Sequence, residues 1–219
     1  MKERPILFSA PMVRALLDGR KTQTRRVVKD LPPWEISEIV SDAGGTGKWM
    51  PNGLAPSGKG MAAGHWRPCP YGRPGDHLWV CEEFALSVID PDGGSPQDDP
   101  ENYDVIYRAT DTPGGGWTDA EGNAIEAPWQ RDKEMPHWAS RILLEIVSVR
   151  VERLRDISEA DARVEGVTIE ERHKAGYCSG EFLPPSIRAY RDLWESINGT
   201  GSWDANPWVW VIEFKQVKP

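Results

Sequence analysis

Lys21 and Thr24 stand three residues apart in Gly19-Arg20-Lys21-Thr22-Gln23-Thr24-Arg25-Arg26, where four of eight residues are cationic. A turn that presents an amine beside a hydroxyl can meet a small anionic or amide-bearing ligand. The amine supplies charge, and the hydroxyl can donate or accept a hydrogen bond. The same stretch also reads as a solvated basic strand, the usual fate of a charge run. Arg26 shares a strand face with Thr24, and its planar fork suits a phosphate or a base carbonyl as well as a surface ion pair. One geometric condition follows. In a regular strand Lys21 and Thr24 point to opposite faces, so they converge only if Lys21 still belongs to the turn after Gly19.

Two further patterns carry possible chemistry. His65-x3-Cys69 and His77-x3-Cys81 offer four zinc-ligand types at a workable spacing. On a strand, however, His77 and Cys81 lie about 13 Å apart, so one ion cannot hold both unless the strand bends. Buried, unligated cysteines are the expectation, with no metal and no cofactor. The loop tryptophans Trp34, Trp49, Trp66, Trp117 and Trp129 can stack a base or staple loops to a core; stapling is expected for most of them.

These residues need elements to position them. Ile6-Leu7-Phe8 reads as a strand or helix lead-in. Ser9 can cap a helix in which Pro11 is tolerated, and Met12, Val13, Leu16 and Leu17 share one face. Gly19 stops that helix, and the β-branched run Thr22 to Val28 reads as a strand. Pro74-Gly75-Asp76 is a turn signal before an alternating strand from His77 to Phe84. Ile142 to Leu154 is the longest β signal, with Asp104–Arg108 a shorter one. Ser158 caps a short helix, Glu159 to Glu165, stopped by Gly166. A helix from about Ser186 to Asn198 places Ile187, Tyr190, Leu193, Trp194 and Ile197 on one face. In the last strand Trp208, Trp210, Ile212 and Phe214 share a face, with Val209 and Val211 opposite.

Composition bounds the whole. The 219 residues suit one domain, 1–219, with loop-rich excursions at about 30–75 and 87–138, where the 21 glycines and 19 prolines cluster. Hydrophobic residues make up 39%, and mean hydropathy is -0.55. Net charge is -8, and residues 1–30 hold eight Lys/Arg against three Asp/Glu. The basic signal is therefore local, which disfavours long duplex DNA. Three cysteines without a CxxC imply no disulfide framework and suit a reducing cytosol. The first residues lack a signal-peptide pattern and no stretch reaches membrane-spanning length, so a cytoplasmic location is expected. Strands are separated mostly by loops, which points to an α+β chain with a mixed, curled sheet or small barrel.

Taken in order, these segments resemble the ASCH domain, a relative of the PUA domain. Asp18 to Arg26 is similar to that family's Gly-x-Lys-x-x-x-x-Arg signature after the first helix. Pro74-Gly75-Asp76 resembles its turn into the next strand. Arg153 to Val167 resembles its strand-then-helix segment ending in an acid, and Trp210 to Phe214 its closing strand. The resemblance covers about half the chain and also extends to phage and prophage proteins of unassigned function. It implies a PUA-like β-barrel with a few helices and two inserted excursions. Small bacterial N(4)-acetylcytidine amidohydrolases of this family use a lysine, a threonine and a glutamate, which the resemblance places at Lys21, Thr24 and Glu165. In that scheme Thr24 is the nucleophile, Lys21 accepts its proton, and Glu165 orients the amine or returns a proton. Arg20, Thr22, Arg25 and Arg26 would contact the ligand, and Glu165 pairing structurally with Arg20 or Arg26 is the bland alternative. A carboxylate in the last turn opposes the helix dipole, so some partner must favour it. The resemblance implies recognition of RNA, a modified base or a nucleoside in a basic cleft, with or without amide hydrolysis. A ribonuclease or a structural phage component are weaker readings, and the oligomeric state is not legible.

Overall fold

The computed structural model describes residues 1–41, 47–55, 57, 60–89, 92–111, 128–170 and 183–217. It is an α+β structure built on one five-stranded sheet. The strands are β1 (Glu3–Leu7), β2 (Gln23–Val27), β7 (His77–Cys81), β10 (Leu143–Arg153) and β11 (Trp208–Val217). Their order is β1-β7-β10-β11-β2. Only β1 and β7 run parallel; the remaining pairs are antiparallel.

Among the described residues this sheet does not close into the barrel expected from the sequence. Its edges, β1 and β2, do not pair with each other. The intervening helix α1 (Ala10–Leu17) packs into the core instead, with Val13 and Leu16 buried. Pro5 lies in edge strand β1, where a missing N–H is tolerated. The sheet still curls enough for the Arg26 guanidinium on β2 to donate to Leu7 O at the end of β1, at 2.6 Å.

Alternation along the strands fills two layers. Trp210, Ile212 and Phe214 join Ile6, Phe8, Leu78 and Leu144 on one face. Val209 and Val211 face the other way, against Leu154, Tyr190, Trp194 and Trp203. That second layer comes from α2 (Glu159–Val164) and α3 (Pro185–Asn198). Ser158 caps α2 as expected, accepting from Asp161 N at 3.0 Å. Ser9 precedes α1 in an extended conformation but makes no side-chain cap hydrogen bond. Leu17 and Ile197, assigned to apolar faces from periodicity, are 41% and 49% exposed.

The excursions are more regular than their composition suggests. The first holds a small sheet of β3 (Ile36–Ser41), β4 (Lys48–Leu54), β5 (Met61–Ala63) and β6 (Arg67–Pro68). It is joined to the core where Trp49 meets Trp210 edge-on, 5.9 Å between ring centroids. The second holds the hairpin pair β8 (Phe84–Val88) and β9 (Tyr103–Tyr107). Trp117 and Cys178 lie outside the described residues. No helix among the described residues is long and apolar enough to cross a membrane.

Candidate functional site

Gly19, at φ +70°, ends α1 in the left-handed region that glycine adopts without strain. The chain then turns so that Lys21 N donates back to Ala15 O at 3.0 Å. Lys21 is therefore outside β2. It pairs with Glu165 through an isolated antiparallel bridge, and this irregular start meets the geometric condition set by the sequence.

Glu165 terminates α2 and is followed by Gly166 at φ +84°. Its carboxylate sits between two buried cations. Lys21 Nζ donates to Glu165 Oε2 at 2.9 Å, to Glu165 O at 2.9 Å and to Gln23 O at 2.8 Å. Arg25 Nη1 donates to Glu165 Oε1 at 3.1 Å. These cations supply the partner that a helix-end carboxylate requires against the dipole. They are not Arg20 or Arg26.

A wider ion network holds Arg25. Its Nη2 meets Glu152 and, at 3.4 Å, Asp161. Arg150 reaches Glu152, Asp161 and Glu213, and Gln23 Nε2 donates to Asp161 at 3.1 Å. A bulge makes this possible: the β10–β11 register shifts between Ile146 and Ser148. An extra residue reverses which side chains face which layer. Beyond it Arg150 and Glu152 pair with Val211 and Val209, on the α2 side, where Arg25 and Asp161 are.

Burial lowers the Lys21 amine below its ordinary value, and contact with Glu165 works against that shift. The geometry suits the charged form, because three acceptors surround Nζ and an ammonium has three donors. For Arg25, burial disfavours charge, but Glu165 and Glu152 outweigh it and its pKa is raised.

Thr24 lies on the opposite face of β2 from Arg25, paired with Ile212. It lines a cavity of about 50 Å³ with Met12, Arg25, Glu165, Tyr190 and Leu193. Among the described residues its hydroxyl makes no hydrogen bond, and none joins it to Lys21. Met12, Arg26 and Ile197 also border a larger cleft of about 590 Å³, whose wall includes Phe8, Glu83, Arg108 and Asp132. That volume lies in the range of small-molecule sites.

The expected basic cleft is narrower than the sequence suggests. Arg20 is exposed and bound to Asp18 and Gly166 O; Thr22 is exposed too. Lys21 and Arg25 are neutralised by carboxylates, as buried charges must be. In that stretch only Arg26 faces the cleft without an ion pair among the described residues. Its guanidinium lies 5.2 Å from the Phe8 ring centroid.

The other candidates are separated from this site. Cys69 and Cys81 are free and buried in different core clusters. Burial pushes both thiols up to about 11. His65 is exposed, and no group of three or more metal-ligand types gathers among the described residues. Of the loop tryptophans among the described residues, Trp34, Trp49, Trp66 and Trp129, none borders the Thr24 cavity or the cleft beside it. Trp129 stacks under Arg108 at 5.7 Å, and Trp66 is 45% exposed. Tyr190 is the site residue that sequence reasoning passed over. It was read as one more member of an apolar helix face, and its hydroxyl was the available signal.

Compared with known proteins, the chain matches no protein-family model, no curated protein and no solved structure.

Proposed function

We propose that the chain is an ASCH-type, PUA-like protein that recognises a modified nucleobase or nucleoside, free or in single-stranded RNA, in the cleft beside Thr24. The observation that carries this reading is the unpartnered Thr24 hydroxyl. Its residue lines a cavity of about 50 Å³ together with Arg25 and Glu165 of the Lys21–Glu165–Arg25 ion network, and that cavity shares Met12, Arg26 and Ile197 with a cleft of about 590 Å³. The network makes the wall rigid, and a rigid wall reduces the ordering cost of binding. Arg26, held by Leu7 O and by the buried Phe8 ring but without a carboxylate partner among the described residues, offers its fork to a base carbonyl or a phosphate.

A second reading, amide hydrolysis of an N(4)-acetylcytidine-like nucleoside, draws support from the lowered Lys21 pKa. Catalysis needs a neutral amine within reach of the Thr24 hydroxyl. Losing that proton would leave one of the three acceptors around Nζ facing a lone pair, so binding without turnover is the better-supported role.

Calorimetric titration of N(4)-acetylcytidine and cytidine, with chromatography for released cytidine, tests both. Binding without release is expected, weakened about threefold to tenfold by Thr24→Ala. Release of cytidine that survives Thr24→Ser and vanishes in Thr24→Ala and Lys21→Arg would establish the hydrolytic reading. No binding of either nucleoside by wild type sinks the proposal.

A further inference from the structure

The turn from Gly72 to Asp76, which the Thr24 site leaves unused, borders a separate pocket of about 380 Å³. Lys2 and Arg4, at the start of β1, line it together with Cys69, Gly72, Arg73 and Asp76. Asp76 organises the wall. Its buried carboxylate accepts from Lys2 N at 3.0 Å, from Arg4 Nη1 at 3.0 Å and from Arg73 N at 3.4 Å. One carboxylate thus ties down all three basic residues, two by the backbone and one by the side chain. The turn is in turn anchored to β10, where Gly75 N donates to Ile146 O and Ile146 N to Asp76 O, each at 2.9 Å. Gly72 allows a close approach: a Cβ there would stand 2.9 Å from Arg4 Nη1 and 3.1 Å from Asp76 Oδ2. The wall is set before any ligand arrives, which lowers the ordering cost of binding.

Positive charge is left over. Three cations and one carboxylate line the pocket, in a chain whose net charge is -8. Arg4 matches the carboxylate. Among the described residues neither the Lys2 amine nor the Arg73 guanidinium has a partner. Cys69 adds no negative charge, because burial pushes its thiol up to about 11. A second chamber of about 210 Å³ adjoins this pocket, sharing Gly47, Gly72 and Arg73 with it. Trp49, Pro74 and Val149 give that chamber an apolar wall. A cavity of about 150 Å³ already holds benzene, so one aromatic ring fits there.

We infer that the two chambers bind a small aromatic phosphate monoester, its phosphate among Lys2, Arg4 and Arg73 and its ring beside Trp49. A single arginine fork saturates a carboxylate, whereas the three outer oxygens of a phosphate can meet several cations. Neither chamber shares a lining residue with the Thr24 cavity or the cleft beside it, so the assignment stands apart from the nucleoside reading.

The ¹⁵N-labelled chain, with its amides assigned, is titrated with inorganic phosphate, phenyl phosphate and benzoate. Both phosphates are expected to move the Gly72, Arg73 and Asp76 amides, and phenyl phosphate alone to move the Trp49 indole N–H. Benzoate should bind at least about threefold more weakly than phenyl phosphate. Arg73 is exposed, so Arg73→Gln should leave the fold intact and weaken phenyl phosphate about threefold to tenfold. Arg26→Gln, in the other cleft, should leave that affinity unchanged. Turn amides unmoved by either phosphate overturn the assignment, as does an Arg73→Gln protein that binds phenyl phosphate like wild type. Weakening by Arg26→Gln alone would put the phosphate in the other cleft and overturn it equally. A Trp49 indole unmoved by phenyl phosphate, with the turn still responding, leaves an adventitious ion only. Benzoate that binds as tightly as phenyl phosphate refutes the choice of phosphate.

Discussion

Glu165 carries more of the site than any other side chain, because two buried cations converge on its carboxylate. Removing one member of a buried ion pair commonly costs about 3–5 kcal/mol. Glu165→Gln should cost about that much in urea denaturation. Its effect falls mainly on Lys21, which has no other carboxylate partner among the described residues, whereas Arg25 keeps Glu152 and Asp161. Adding Lys21→Met removes the stranded ammonium and should restore part of the loss. A Glu165→Gln protein within about 1 kcal/mol of wild type would mean the network is not what holds the turn. Some of this was legible in the sequence. A carboxylate at the end of a helix demanded a partner, and Lys21 was named beside it through the resemblance. Arg25 was read as a ligand contact because a run of cations shows no preference among its members. Which cation turns inward depends on strand parity and on carboxylates more than a hundred positions away, at Glu152 and Asp161.

Between elements, a close approach constrains the point where α1, the Lys21 turn and α2 meet. A Cβ on Gly166 would stand 2.8 Å from Ala15 Cβ and 2.9 Å from Lys21 Cβ, and the residue also needs φ +84°. Gly166→Ala should therefore destabilise by about 1–3 kcal/mol. It should also displace Lys21, so binding at the cleft weakens together with stability. Gly19 provides the contrast. Its φ is +70° but an added Cβ meets nothing within 4 Å, so Gly19→Ala should cost only the backbone strain, about 1 kcal/mol. Equal melting-temperature losses for the two variants would contradict the argument from close approach. Both glycines were readable as helix stops, because that role is local. The bulge after Ile146 was not readable. Alternation in Leu143–Arg153 looks continuous, and only pairing with Trp208–Val217 shows that one residue is extra. Without it, Arg150 and Glu152 would face the opposite layer, and Arg25 would lose Glu152.

At the scale of the whole molecule, β11 lies between β10 and β2, so the end of the sheet sequence completes what its beginning starts. The element types along this path follow from alternation and caps. Closure does not: whether β1 meets β2 is set by how α1 fills the space between them, a tertiary fact that no local pattern encodes. Charge placement was partly legible, since the excess of cations in residues 1–30 is real, but folding pairs four of those eight cations with carboxylates. Lys21 and Arg25 are covered, and Arg4 and Arg20 are bound to Asp76 and Asp18. With a net charge of -8, little free cationic surface is left to displace counterions from a duplex. Binding of long duplex DNA should accordingly be weaker than about 10 µM at physiological salt and should fade further as salt rises. Fluorescence anisotropy with a labelled duplex, repeated between 50 and about 200 mM salt, measures this directly. Sub-micromolar binding that does not respond to salt would require a cationic face that the pairing of these residues leaves no room for.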